Sequence, residues 1–205
     1  MESVVPATGA GSCSTNTLRY AADLSSELGA AIRLDGDKIE LFWREEEPFL
    51  IVTGATGGSA AGPFPCPVLS IPPHAVYGGV KKIVVACDRG DILAGLSDHT
   101  EFLRKLHLLL GASFEFVHIV KGSQTNAGQI IQEYRSWKSR PDFFPQSPFF
   151  IQRESPQDGI TDYLNTFPCD WLMVFPKDHS WIEFHRSQAE SIAKLSNIPI
   201  LRVYE

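Results

Sequence analysis

The chain contains a run of four apolar residues, Ile83–Ala86, that follows two lysines and precedes Cys87 and Asp88. A run without polar alternation is typical of a strand buried on both faces of a parallel sheet. Similar runs alternate with segments whose apolar residues recur every three or four positions, which predicts an α/β fold. Ligands of open α/β sheets bind beyond the carboxyl ends of the strands, so Asp88 is predicted to stand beside a ligand crevice.

The first part of the chain is predicted to hold few elements before the proline- and glycine-rich linker Pro72–Gly79. A helix is predicted from about Ser14 to Gly29, because serine caps helix starts and glycine adopts the left-handed stop. The Asp-Gly-Asp turn at 35–37 predicts a hairpin whose second strand, Ile39–Trp43, alternates like an edge strand. The remaining predicted strands of this part lie at 3–8, 49–52 and 68–71.

The second part is predicted to alternate strands and helices throughout. Asp98 and Glu101 resemble a capping box for its first helix, and Gly111 ends that helix. The loop Pro141–Pro148 is rich in aromatic residues and proline; it either covers the core or forms a partner surface. The predicted strands lie at 81–88, 114–120, 149–151, 171–175 and 198–203.

The two parts resemble each other in sequence. The matched segments occur in the same order in both parts, but the offset in residue number between a segment and its match increases along the chain. The second part therefore contains elements that the first part lacks. This pattern predicts an internal duplication with a shortened first copy, dividing the chain into a truncated half domain at 1–75 and a full domain at 80–205. The matches pair Leu28-Gly29-Ala30 with Leu110-Gly111-Ala112, Leu50–Val52 with Trp171–Met173, and Pro67–Leu69 with Pro199–Leu201.

Several segments together resemble the universal stress protein (UspA-like) family, in the tandem form common in bacteria of the Bacteroidetes type. VKKIVVACD resembles the family's first strand with its terminal acid, and FLRKLHLLLGASFEFVHIV its first helix and second strand. LRYAADLSSELGAAIRL repeats the latter pattern, while CPVLSIP and NIPILRVYE resemble the closing strand. PKDHSWIEFHRSQAESIAKL resembles the last loop and helix. The resemblance covers residues 80–205 well and 3–72 in part.

The resemblance implies the architecture of the adenine nucleotide alpha hydrolase-like folds. We therefore expect an open, parallel, five-stranded sheet in the order 3-2-1-4-5, with helices on both faces. A second, smaller and degenerate copy would stand at the N-terminus. Two such units would pair through their closing strands, so that one chain forms a pseudo-dimer.

The same resemblance implies where a nucleotide would bind. Family members that bind ATP use the acid ending the first strand and a G-x-x-G motif after the fourth, whose backbone N–H groups approach the phosphates. The second part has the acid, Asp88, but Phe175 and Asp178 stand at the glycine positions. A ring and a carboxylate there would crowd and repel a triphosphate.

The first part has the complementary half of the pattern. Gly54 and Gly57 match the glycine motif, but Thr8 stands where the acid is expected. These glycines either cradle a phosphate or serve a turn that needs a positive φ angle. Because neither part keeps a complete site, we expect ATP to bind weakly or not at all.

Other candidate site residues follow the fourth strand of the second part. Lys177, His179 and Arg186 form a candidate anion pocket over a helix that Ser187 opens, although helix capping alone explains Ser187. Asp88 either contacts a nucleobase or ribose, or caps a turn. The other histidines lack metal-ligand spacing, so no metal site is predicted.

The composition narrows the remaining possibilities. The net charge of −6 disfavours a nucleic-acid surface, which needs a basic field. No stretch approaches the roughly 18 apolar residues of a membrane helix, and the first residues lack a signal-peptide pattern. The four cysteines form no C-x-x-C pair, which fits buried thiols and a cytoplasmic location.

These observations predict a stress-response regulatory or interaction protein that works through protein contacts. A homodimer through the predicted edge Ile39–Trp43 is one expected form of association. The alternative is a module that binds an adenine nucleotide (ATP or AMP) or a small anion at the Asp88 crevice. An enzyme that hydrolyses nucleotides is disfavoured, because no activating base, metal ligand or catalytic constellation can be named.

Overall fold

The computed structural model describes residues 14–35, 38–42, 48–54, 66–87, 99–120, 127–175 and 197–203. The strand predicted near the start of the chain and the helix predicted from Ser187 lie outside these ranges. No helix in the described part of the chain has the length and apolarity that crossing a membrane requires.

The described strands form one continuous sheet. Its nine strands are arranged in the order β1-β2-β3-β4-β9-β8-β5-β6-β7. In chain order they are β1 (Ala31–Asp35), β2 (Lys38–Phe42), β3 (Leu50–Gly54), β4 (Val68–Ile71), β5 (Lys82–Cys87), β6 (Ser113–Val120), β7 (Phe149–Gln152), β8 (Trp171–Val174) and β9 (Ile200–Arg202).

The sheet differs from the expected one in size and direction. Strands β7-β6-β5-β8-β9 are parallel and follow the expected order. The expectation of a five-stranded parallel sheet is nevertheless wrong, because β4 pairs antiparallel with β9 and continues the same sheet into the first part. This pairing satisfies backbone groups that two separate sheet edges would leave open.

The predicted edge of the first part is also corrected. Strand β2 pairs with β1 on one side and β3 on the other, so it is an interior strand. Its residues Ile39 and Leu41 are completely buried. Among the described strands, β1 forms this edge instead, and all five of its residues are exposed. Trp43 lies outside the described residues.

Four helices are described, and their ends follow the local sequence. The Ser14 side chain accepts a hydrogen bond from the Thr17 backbone N–H, and Gly29 ends the first helix at a φ of 61°. His99 directly precedes the second helix and its side chain makes no capping bond, while Asp98, the predicted cap, lies outside the described residues. The helices are α1 (Thr15–Leu28), α2 (Thr100–Leu110), α3 (Ala127–Ser136), which a short 3-10 turn extends, and α4 (Pro156–Thr166).

The core lies on both faces of the sheet, as the Ile83–Ala86 pattern predicted. Ile83 and Val85 belong to the larger apolar cluster, which also contains the buried residues of α1 and α2. Val84 points to the opposite face, where it clusters with Tyr163 and Leu164 of α4. Strand β5 is therefore covered by helices on both sides, which confirms that it is an interior strand buried on both faces.

The aromatic loop before β7 covers the core. Phe144 is only 4% exposed, and its ring centroid lies 4.7 Å from that of Phe116 on β6. Trp137, at the end of α3, donates its indole N–H to the Pro145 carbonyl over 2.9 Å. Of the two alternatives for this loop, the structure therefore supports core packing.

Candidate functional site

The carboxyl end of β5 is the topological switch point of the parallel strands. Strand β5 lies between β6 and β8, so the chain leaves it in one direction and later returns on its other side. Crevices at such points are the usual ligand sites of open α/β sheets. Asp88 directly follows Cys87, the last residue of β5, but lies outside the described residues.

Two aromatic side chains stack at this end of the sheet. Phe175 directly follows β8, and its ring lies 5.4 Å from that of His99, which precedes α2, with 30° between the planes. Phe175 is partly buried and packs against the larger core cluster. The Phe175 ring is therefore held between the core and His99.

His118 belongs to the same end of the sheet. It lies on β6, pairs in register with Cys87, and is 5% exposed. Its ring lies 5.6 Å from that of Phe150 on β7. His99 and His118 lie on separate elements and share no spacing in the sequence, so the sequence alone did not place either of them at this end of the sheet.

Six of the predicted site residues lie outside the described part of the chain: Asp88, Gly57, Lys177, His179, Arg186 and Ser187. Gly54 ends β3, and its φ is not among the positive values of the described glycines. A Cβ atom at Gly54 would lie 3.3 Å from the Thr17 hydroxyl in the first turn of α1. Close approach of a helix, not a positive φ, is thus what favours glycine at this position.

The described residues hold no group of three or more His, Cys, Asp or Glu side chains that could bind a metal ion. Two described thiols, Cys66 and Cys169, are free. Burial raises the pKa of each thiol to about 12, with smaller contributions from the carboxylates of Glu40 and Asp170 respectively. Because the thiolate is the reactive form, neither thiol is suited to act as a nucleophile at neutral pH.

Both thiols are therefore expected to resist alkylation in the folded protein. At pH 8 their thiolate fraction should be roughly a thousandfold below that of an unperturbed cysteine. Peptide mapping after iodoacetamide treatment, with urea-unfolded protein as the control, measures this protection. Equal labelling of Cys66 or Cys169 in folded and unfolded protein would contradict it.

A second concave region lies at the amino-terminal ends of the parallel strands. It has a volume of about 220 Å³ and lies between the linker and the residues that precede β8 and β9. On its wall, one Asp170 carboxylate oxygen accepts hydrogen bonds from the backbone N–H groups of Lys81 and Lys82 at 2.7 and 2.8 Å. Asp170 thus joins β5 to the start of β8. This cavity is at the opposite end from Asp88, so it is not the predicted crevice.

Comparison with known proteins identifies the fold. No family model matches the chain, and no curated protein matches it. Among solved structures, a universal stress protein from Archaeoglobus fulgidus DSM 4304 matches with a TM-score of 0.55, 13% identity and 78% coverage of this chain. A putative universal stress protein from Pseudomonas aeruginosa UCBPP-PA14 matches with a TM-score of 0.52, 13% identity and 77% coverage. The chain covers only 62% and 63% of these two proteins. At this identity the likeness concerns architecture alone: the chain has the α/β fold of universal stress proteins.

Proposed function

We propose that this chain is a universal-stress-type regulatory protein that acts through contacts with other proteins and has a closed nucleotide crevice. The observation that carries the proposal is the stacking of Phe175 on His99 at the carboxyl end of the sheet. A phosphate seat at this place needs backbone N–H groups that a ligand can approach closely, which is the use of glycine there. Phe175 instead puts a bulky side chain at a position where the resemblance leads us to expect a glycine, and its ring stacks on His99.

The closed crevice has an energetic basis. Phe175 packs against the larger core cluster, so moving its ring aside for a ligand would expose apolar surface and break the contact with His99. A ligand would have to supply this free energy from its own contacts. Affinity for ATP is therefore expected to be millimolar or weaker.

We further propose that the chain is an intramolecular pseudo-dimer of the tandem type, with a truncated copy at 1–75 and a full copy at 80–205. What supports this is the antiparallel pairing of β4 with β9, the two proposed closing strands. The helices α1 and α2 also correspond: both bury residues in the same cluster and end at glycines with φ of 61° and 63°. An Arg202 guanidinium N–H donates to the Ser70 hydroxyl over 3.0 Å across this seam.

The second candidate function is binding of an adenine nucleotide or small anion beside Asp88. The topology favours it, because β5 is the switch-point strand of the sheet and Asp88 follows it directly. In this case Lys177, His179 and Arg186 would replace the lost glycine cradle by positive charge, next to the helix that the sequence predicts from Ser187.

A thermal-shift screen with 1 mM AMP, ADP, ATP or phosphate separates the two functions. A ligand at about 100 times its dissociation constant stabilises a protein by about 2.7 kcal/mol, which raises the midpoint of a chain of this size by roughly 5–10 °C. The closed crevice predicts a shift below about 1 °C for every compound.

The variants Asp88→Ala and Arg186→Ala show whether a thermal shift arises from binding beside Asp88. A shift of several degrees in the wild type that both variants abolish would establish the nucleotide function and overturn the closed crevice. Phe175→Gly is the complementary variant, because it removes the ring that is proposed to close the crevice. A nucleotide-dependent shift in Phe175→Gly, absent from the wild type, would support the role given to the Phe175 ring.

A further inference from the structure

The edge strand β1 presents an open pairing surface. It pairs with β2, and no described strand pairs with its other side. All five residues are exposed, including Ile32 and Leu34 at 42% each. Natural edge strands usually carry devices that prevent further pairing, such as proline, lysine or a bulge. Strand β1 has no proline or lysine, and its register with β2 is unbroken from Ala31 to Asp35.

The backbone of β1 offers hydrogen-bonding groups to a further strand. Asp35 pairs with Lys38 across a two-residue connection, and such a connection is closed by a hydrogen-bonded pair. Hydrogen-bonded and non-hydrogen-bonded pairs alternate along an antiparallel ladder, so Arg33 also bonds toward β2. The backbone N–H and C=O groups of Ile32 and Leu34 therefore point away from the sheet.

The two faces of β1 differ in chemistry. Ile32 and Leu34 lie opposite Leu41 and Ile39, which are completely buried in the cluster that contains α1. Ile32 and Leu34 thus extend onto β1 the apolar face of the sheet that packs in the cluster with α1. On the other face, Arg33 donates to one Glu40 carboxylate oxygen from Nε at 2.9 Å and from Nη2 at 2.6 Å.

This salt bridge pairs the one cationic side chain of β1 with an acidic side chain of its own sheet. The Arg33 guanidinium also lies over the Phe42 ring, 4.5 Å from its centroid. Both contacts direct Arg33 toward the strands of its own chain, although its side chain is still 61% exposed. The charge of Arg33 therefore has a partner before a further strand approaches.

We propose that β1 is a homodimerisation strand, which pairs antiparallel with β1 of a second copy and places Arg33 on the two-fold axis. In this register Ile32 of each copy faces Leu34 of the other, on the apolar face. The outward groups of these residues form four backbone hydrogen bonds between the copies. Across the axis the two Arg33 side chains meet as neutral pairs, each with its own Glu40.

The proposal favours a second copy over another protein because the strand is complementary to itself. With the two-fold axis at Arg33, the apolar residues Ile32 and Leu34 of one copy lie opposite Leu34 and Ile32 of the other. Residues of the same face therefore meet along the whole strand in a single register. Antiparallel edge pairing is also how β4 and β9 already join the two parts of this chain. The dimer does not depend on the closed crevice. Since one five-residue strand buries little area, we expect a dissociation constant in the micromolar range.

Cysteine cross-linking tests the register. Residues in a non-hydrogen-bonded antiparallel pair have Cα atoms about 4.5 Å apart, within the range that a disulfide spans. Arg33→Cys should therefore form a covalent dimer under mild oxidation, visible by non-reducing electrophoresis above the background of the wild type. Asp35→Cys is the matched control, because two such residues would lie about 14 Å apart in the proposed dimer.

Light scattering coupled to size exclusion tests the surface itself. The wild type should be a dimer at about 100 µM, a concentration above the expected dissociation constant. Leu34→Pro removes an outward N–H and should weaken association at least tenfold while the monomer stays folded, since edge strands tolerate proline at such positions. Leu34→Val keeps the N–H and should stay dimeric, as should Phe149→Lys on β7, the opposite edge.

Several outcomes would overturn the proposal. A monomeric wild type at this concentration, or equal cross-linking of Arg33→Cys and Asp35→Cys, removes it. Loss of the dimer in Phe149→Lys but not in Leu34→Pro would assign association to β7. If circular dichroism shows that Leu34→Pro is unfolded, Leu34→Lys replaces it, because an exposed lysine keeps the backbone donor and disrupts only the apolar contact; a Leu34→Lys variant that associates like the wild type counts against β1.

Discussion

Replacing Leu69 with alanine is expected to lower the free energy of unfolding of the whole chain by about 2–5 kcal/mol, the usual cost of a cavity in a core. Leu69 on β4 is completely buried and lies opposite Leu201 on β9, which is also completely buried. Both belong to the cluster that joins α1 of the first part to α2 of the second. Because the β4–β9 seam unites the two parts, chemical denaturation should show one cooperative transition. Leu69→Ala should shift this whole transition to a lower denaturant concentration.

Matched variants make this result specific to the seam. Val76→Ala removes an apolar side chain that is 85% exposed and should change the stability by less than about 0.5 kcal/mol. Leu201→Ala should destabilise the chain about as much as Leu69→Ala, and the double variant should be non-additive because the two residues face each other. Two separate transitions, only one of which moves in Leu69→Ala, would show that the two parts unfold independently.

The second large effect is expected at Tyr20, where a buried hydrogen bond also joins the two parts. The indole N–H of Trp171 on β8 donates to the Tyr20 hydroxyl on α1 over 2.7 Å, and Trp171 is completely buried. Burial is the main reason that the pKa of Tyr20 lies above its ordinary value, so the hydroxyl stays neutral. Tyr20→Phe leaves the indole N–H without an acceptor and should cost about 1–3 kcal/mol.

Tyr77→Phe is the matched control for this effect. The Tyr77 hydroxyl donates to the Glu27 carboxylate at the surface, where water can replace the lost partner, so the expected loss is smaller. In a double-mutant cycle, Tyr20→Phe should cost less in a Trp171→Phe background, which has no indole donor to leave unpaired. An equal cost in both backgrounds, measured by urea denaturation, would contradict the role of the hydrogen bond.

Local features of the fold were predictable because their causes are local. Gly29 and Gly111 end their helices at positive φ, where glycine carries no steric penalty. The apolar run Ile83–Ala86 predicted a strand buried on both faces, and β5 has that environment. The helix predicted from Asp98 and Glu101 is α2, which begins at Thr100, while Asp98 itself lies outside the described residues.

The sequence predicted a site beyond β5 from a strand that ends in an acid and precedes a helix. The strand order makes β5 the switch point, whereas Asp88 lies outside the described residues, so the site stays a prediction. The stacking of His99 on Phe175 was not predictable, because the two residues are far apart in the chain and carry no shared spacing. Gly54 suggested a phosphate turn, whereas its structural constraint is the neighbouring first turn of α1.

By itself, the sequence determined which segments are strands and helices, where most of them end, and which faces are apolar. Only the tertiary structure decided which strands are neighbours: that β1 and not β2 forms the edge, and that β4 pairs antiparallel with β9 to make one sheet of nine strands. The reason is physical. Side-chain periodicity reports the environment of each segment, but strand pairing depends on backbone hydrogen bonds between segments distant in the chain, and those groups are the same in every residue except proline.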